Sequence, residues 1–165
     1  METSAAAVDE RMPRFLVDRT LGRLTRWLRL LGYDAVWESG DDVAGLLARA
    51  QADGRVLLTR DTLVIERRPV RRGDVTAVLL RGDHVEEQLR QLRLELGLCR
   101  RGPARCLVCN ERLEVLTVEQ ARLRVPAYVA ETQTEFRYCA VCDRITWPAT
   151  HWESASRVLR AAGFL

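Results

Sequence analysis

The chain has 165 residues, 47% of them apolar and 30% charged, the make-up of a soluble globular protein with length for one domain of ordinary size or one domain plus a small appendage. Net charge is only +3, yet all 26 basic residues are Arg. Such uniform usage fits genome composition as well as phosphate recognition, so charge alone identifies no partner. No apolar run is long enough to span a bilayer and no signal-like segment opens the chain, which therefore reads as cytoplasmic.

Residues 1–12 are small, polar and aperiodic, and are expected to form a flexible tail. From Arg14 onward short β-like runs alternate with helical periodicity, the pattern of a parallel α/β sheet. RFLVD (14–18) is the first expected strand. In the helix that follows, Leu21, Leu24, Leu28 and Leu31 fall at helical spacing, with Gly32 as its stop. Arg19, Arg23, Arg26 and Arg29 make a basic stripe on the same helix. YDAVWES (33–39) reads as the second strand, and Asp41 and Asp42 compete for the start of the second helix. RVLLT (55–59) and DVTAVLLR (74–81) are the third and fourth strands, separated by RRPVRR (67–72), read as an Arg-rich loop. DHVEEQLRQLRLELG (83–97) is an amphipathic helix.

In open parallel sheets ligands bind outside the carboxyl ends of the strands. Asp18 ends the first strand, Asp61 lies two residues past the third, Asp83 follows the fourth, and Asp42 opens the second helix on the same side. Asp42, Asp61 and Asp83 are also at positions where an acid simply caps a helix. Four converging carboxylates with no His would repel unless cations sit between them, and an oxygen-only set suits Mg²⁺ or Mn²⁺. One ion would activate a water against a phosphodiester while another stabilises the leaving oxygen. Arg23, Arg26 and Arg60 are the candidate phosphate contacts, with Arg60 equally a salt-bridge partner for a rim acid.

RCLVCNERL (105–113) and YCAVCDRIT (138–146) each hold a C-x₂-C pair, with 29 residues between Cys109 and Cys139. Cys106, Cys109, Cys139 and Cys142 read as a closed four-thiolate zinc site, structural because no coordination position stays open. LEVLTV and EFRYC are expected as ribbon strands and HWESASRVLRAAG (151–163) as a helix closing the ribbon. The expected organisation is a tail at 1–12, a sheet domain at 13–99 and a zinc ribbon with its helix at 100–165. Cys99 stands outside both pairs.

The stretches FLVDRTLGRLTRWLRLLGYDA, DDVAGLLARAQADGRVLLTRD, RCLVCN and YCAVCDRITWPATHW together resemble the Mut-seven C-terminal RNase domain family over nearly the whole chain. The resemblance implies a PIN-like three-layer parallel sheet followed by a zinc ribbon, and metal-dependent ribonuclease activity on RNA. By position it assigns Asp18 and Asp61 as the principal acids, Asp42 as the acid of the second helix and Asp83 as a further one. It matches the four ribbon cysteines outright. The family's ending, Y-W-x-G-[ST]-H, is here T-W-P-A-T-H, which leaves Trp147 and His151 a folding role. The competing function is a non-catalytic RNA- or protein-binding adaptor that uses the ribbon as its platform; a toxin of a toxin–antitoxin pair fits less well, since such proteins usually lack a ribbon.

Overall fold

The computed structural model describes residues 12–40, 42–99, 102–148 and 151–165, the side chains of 151 and 152 excepted; residues 1–11 of the expected tail and Asp41 lie outside them. Four short strands, β1 (Phe15–Val17), β2 (Ala35–Trp37), β3 (Val56–Thr59) and β4 (Ala77–Leu79), form a parallel sheet in the order β2-β1-β3-β4. The chain leaves β1 to one side for β2, then crosses back to place β3 on the other. The carboxyl ends of β1 and β3 therefore flank the switch point at which open α/β sheets bind ligands.

Alternation along the strands feeds two apolar layers. Phe15, Val17 and Leu58 point into one, with Leu24 and Leu28 of α1 (Gly22–Leu30) and Leu89 and Leu92 of α5 (Val85–Leu96). Leu16 and Leu57 point into the other, against Leu46, Leu47 and Ala50 of α2 (Val43–Asp53) and Val64 of α3 (Thr62–Ile65). Both faces are covered, as a parallel sheet requires. The segment expected as an Arg-rich loop contains a one-turn helix, α4 (Arg68–Arg71), because Pro69 near a helix start meets no missing hydrogen bond.

After α5 the chain forms a separate antiparallel sheet, β5-β6-β7, from β5 (Glu114–Leu116), β6 (Phe136–Cys139) and β7 (Arg144–Thr146). Two helices absent from the sequence reading, α6 (Val118–Arg122) and α7 (Ala127–Thr132), lie between β5 and β6. With β5–β7 they enclose a small core of Ala121, Val129 and Phe136. Trp147 packs against this core, its ring centroid 6.5 Å from that of Phe136. Trp147 thus has the folding role expected of it.

The last helix, α8 (His151–Ala161), does not close the ribbon. Leu159 and, just past its end, Ala162 are buried in the main sheet core beside α5. The chain leaves the sheet domain, builds the ribbon and returns. No helix among the described residues is long and apolar enough to cross a membrane. Leu159→Ala is expected to destabilise the sheet domain by about 2–5 kcal/mol, the usual result of emptying a fully buried leucine site, measured by urea unfolding followed at β1–β4 amides.

Candidate functional site

Asp18 follows β1 and is 8% exposed. A carboxylate at that depth needs donors, and it has four. Its Oδ1 accepts from the Thr20 backbone N–H (2.9 Å) and hydroxyl (2.6 Å). Its Oδ2 accepts from the Thr59 hydroxyl and from the Arg60 backbone N–H (3.2 Å). One side chain thereby ties the end of β1 to the end of β3. The backbone N–H of Asp61 donates to the Thr59 hydroxyl oxygen (3.0 Å), so Asp61 joins the same network, and its Oδ1 caps α3 at Leu63 N–H (2.8 Å).

The Arg60 guanidinium pairs with Asp83 and not with Asp18; both partners are exposed. Asp83 does not cap α5, because His84 holds that position, its backbone N–H donating to Glu87 (3.3 Å). Asp42 occupies the N-cap position of α2 without making a capping hydrogen bond. Gly45 leaves space for it, since a Cβ there would collide with the Asp42 carboxylate. Asp18, Asp61 and Asp83 are therefore linked through Thr59 and Arg60, while Asp42 stands outside that network. Among the described residues no three carboxylates gather as closely as the four cysteines do.

Of the basic stripe on α1, Arg23 and Arg26 are exposed as expected. Arg29, the last residue of that stripe, is instead buried. Its Nε donates to the Ala35 carbonyl (2.9 Å) and one terminal nitrogen to the carbonyls of Leu107 and Val108 (3.0 Å each). Burial pulls its pKa below the ordinary value, opposed by the sulfurs of Cys106 and Cys109 and the Asp34 carboxylate. Asn110 completes this junction: its amide nitrogen donates to Asp34 (2.7 Å) and its carbonyl accepts from Ala35 N–H (3.1 Å). Burial would raise the Asp34 pKa, but the Arg55 fork (2.8 and 3.1 Å) and Asn110 outweigh it and hold the carboxyl below its usual range. The first cysteine knuckle is thus fastened to α1 and β2.

The four cysteine sulfurs all lie within 4.8 Å of one another, with Cys106–Cys142 at 3.9 Å and Cys109–Cys139 at 3.4 Å. A regular tetrahedron on Zn–S bonds of about 2.3 Å has edges of about 3.8 Å, so the cluster could hold zinc. Burial works to raise the Cys106 thiol, but the backbone N–H groups of Cys109 and Val108 and the neighbouring thiols hold it at about 7. Hydrogen bonding with Cys109, then burial, pushes Cys142 up to about 12. Thiols this crowded cannot all ionise without a cation to share. Cys99 is exposed and outside the cluster.

Between α1 and the first knuckle runs a cleft of about 630 Å³ lined by Thr20, Arg23, Arg26, Trp37, Leu107 and Val108 among others. It begins at the turn that holds Asp18. Replacing Arg29 with Met is expected to lower stability by about 3 kcal/mol, since three carbonyls lose a charged donor, whereas Arg26→Met stays within about 0.5 kcal/mol of the parent; urea denaturation of both variants measures the difference.

No curated protein and no solved structure matches the chain. The family model described as the Mut7-C RNAse domain matches residues 13–159, a span that takes in the parallel sheet, the rim acids, all four clustered cysteines and most of α8. With a match over residues 13–159, nearly the whole chain, the chain belongs to the Mut7-C RNAse domain family.

Proposed function

We propose that the chain is a metal-dependent ribonuclease that hydrolyses RNA phosphodiester bonds at the carboxyl rim of its parallel sheet. The observation that carries this reading is the coupling of Asp18 and Asp61 through the Thr59 hydroxyl across the β1/β3 switch point. Asp18 and Asp61 would hold Mg²⁺ or Mn²⁺, with Asp42 and Asp83 completing the acidic rim. The donor set fits a hard cation, being all oxygen. Two of the four donors on Asp18 are hydroxyls, which can rotate away, and Asp61 uses only Oδ1 among the described residues. Such an ion lowers the pKa of a bound water and stabilises charge on the leaving oxygen.

The chain's own groups do the positioning. The backbone N–H groups of Thr20 and Arg60 hold the Asp18 carboxylate in place, one on each oxygen. The Arg60–Asp83 pair is exposed and worth at most about 1 kcal/mol, so the guanidinium exchanges readily onto a substrate phosphate. Arg23 and Arg26 take further phosphates on the side of α1. The four cysteines would hold a structural zinc, and with four thiolates it would have no position left for substrate. A thiolate cluster of this kind fits a reducing compartment, and we place the protein in the cytoplasm.

One observation favours the alternative, an RNA- or protein-binding adaptor: the rim acids are linked in a chain and not clustered among the described residues. Cleavage decides between them. Asp18→Asn and Asp61→Asn are each expected to slow Mn²⁺-dependent cleavage of labelled RNA by roughly a hundredfold, the size of one general acid–base contribution, with folding retained by circular dichroism. Cleavage equal to the parent in both variants would remove the site assignment, and RNA bound but never cut by the parent would establish the adaptor. Cys139→Ser with Cys142→Ser is expected to abolish zinc in elemental analysis and to open residues 113–148 to protease, while the sheet domain resists.

A further inference from the structure

The cleft beside the rim holds more than phosphate contacts. Trp37 ends β2 at the same carboxyl edge as Asp18, with Val17 its register partner on β1. Its indole N–H donates to the Arg19 carbonyl (3.3 Å), within the turn that Asp18 caps. The ring rests against Gly22, where a Cβ would stand 3.4 Å from the indole. Trp37 is therefore held in one orientation by a hydrogen bond and a close packing contact, yet it remains 46% exposed. An isolated exposed tryptophan needs no explanation, but this one lines a cleft with two guanidinium groups.

Arg23 and Arg26 stand one helical turn apart on the same wall, and neither is paired with a carboxylate among the described residues. Leu107 and Val108, whose carbonyls are held by Arg29 further along the same helix, also line the cleft. A fixed aromatic surface beside two adjacent cations and an apolar wall matches a chain of flat bases and regularly spaced phosphates. A duplex keeps its bases stacked inside and presents none of them to such a surface.

We propose that this cleft binds single-stranded RNA, with one base stacked on Trp37 and the flanking phosphates on Arg23 and Arg26, leading the strand to Asp18. The inference rests on the ribonuclease reading and specifies its substrate as unpaired RNA. The zinc-knuckle residues Leu107 and Val108 then act as a wall of the substrate path, so the ribbon takes part in binding through the segment nearest the sheet domain.

The test is fluorescence anisotropy with a labelled twelve-nucleotide adenosine strand and a twelve-base-pair RNA duplex, on the full chain without added Mg²⁺ or Mn²⁺. The single strand is expected to bind at least tenfold more tightly than the duplex. Trp37→Ala is expected to weaken single-strand binding by roughly tenfold, and Trp37→Phe to recover most of it. Arg23→Gln with Arg26→Gln is expected to reduce the slope of log affinity against log salt by about 1.4, at 0.7 per phosphate. Those two arginines are exposed, so this variant keeps the test decisive should Trp37→Ala unfold. Equal affinity for duplex and single strand, or parental affinity and salt slope in the cleft variants, would overturn the proposal. Loss of cleavage in Asp18→Asn with cleft variants binding as the parent removes the cleft alone. Selective single-strand binding by a parent that never cuts keeps the cleft and removes the nuclease.

Discussion

A guanidinium buried between two chain segments must find acceptors for its donors, and Arg29 finds carbonyls on both sides of a junction. Ala35 belongs to the sheet domain; Leu107 and Val108 belong to the first knuckle. A backbone bond from Arg105 N–H to the Arg29 carbonyl (2.8 Å) runs the other way, so the residue is gripped by main chain and side chain together. Together with Asn110 it sets the place of the first knuckle, and so of Leu107 and Val108, which line the cleft with Arg23 and Arg26.

The two knuckles use the same local device with different partners. In each, the residue after the second cysteine adopts a left-handed backbone, Asn110 at φ 72° and Asp143 at φ 50°. Asn and Asp tolerate that conformation better than other side-chain-bearing residues. Asn110 turns its amide to Asp34 and Ala35 of the sheet domain. Asp143 accepts from the Tyr138 hydroxyl (2.9 Å) and pairs with Arg124, whose guanidinium lies 4.6 Å from the Tyr138 ring centroid. One knuckle is thus anchored outward and the other inward, and a shared ion would join the two anchorages.

Features that depend on neighbours in sequence were legible from the residues. The C-x₂-C pairs, the alternation of short apolar runs with helical stripes, and the acid ending β1 all have local signatures. Arg60 has none: its choice of Asp83 over Asp18 follows from where β3 and β4 end in space, and Asp18 is satisfied by hydroxyl and backbone donors instead. Arg29 had no local signal either: at about 100° per residue it stands as far from the leucine arc of α1 as the exposed Arg23 does, and it is buried because the first knuckle, distant in sequence, brings the carbonyls of Leu107 and Val108 to it. The helices α6 and α7 were also announced, by the capping pair Thr117 and Gln120 and by Pro126 before Ala127, but the apolar run before them reads as an uninterrupted strand. The destination of α8 was not legible, because an amphipathic helix shows which face it buries and not which core receives it.

That destination bears on the order in which the molecule comes together. Leu159 and Ala162 fill the same core as Phe15 and Leu24, so the contacts that finish the sheet domain span almost the whole chain. During synthesis, β1 to α5 emerge first and wait with part of their apolar surface uncovered until residues 151–162 are made. The intervening ribbon must shorten that path for the return to be fast, since closing a long flexible loop costs more entropy than closing a compact one. An ion shared by the four cysteines would therefore speed the completion of a domain that contains none of its ligands.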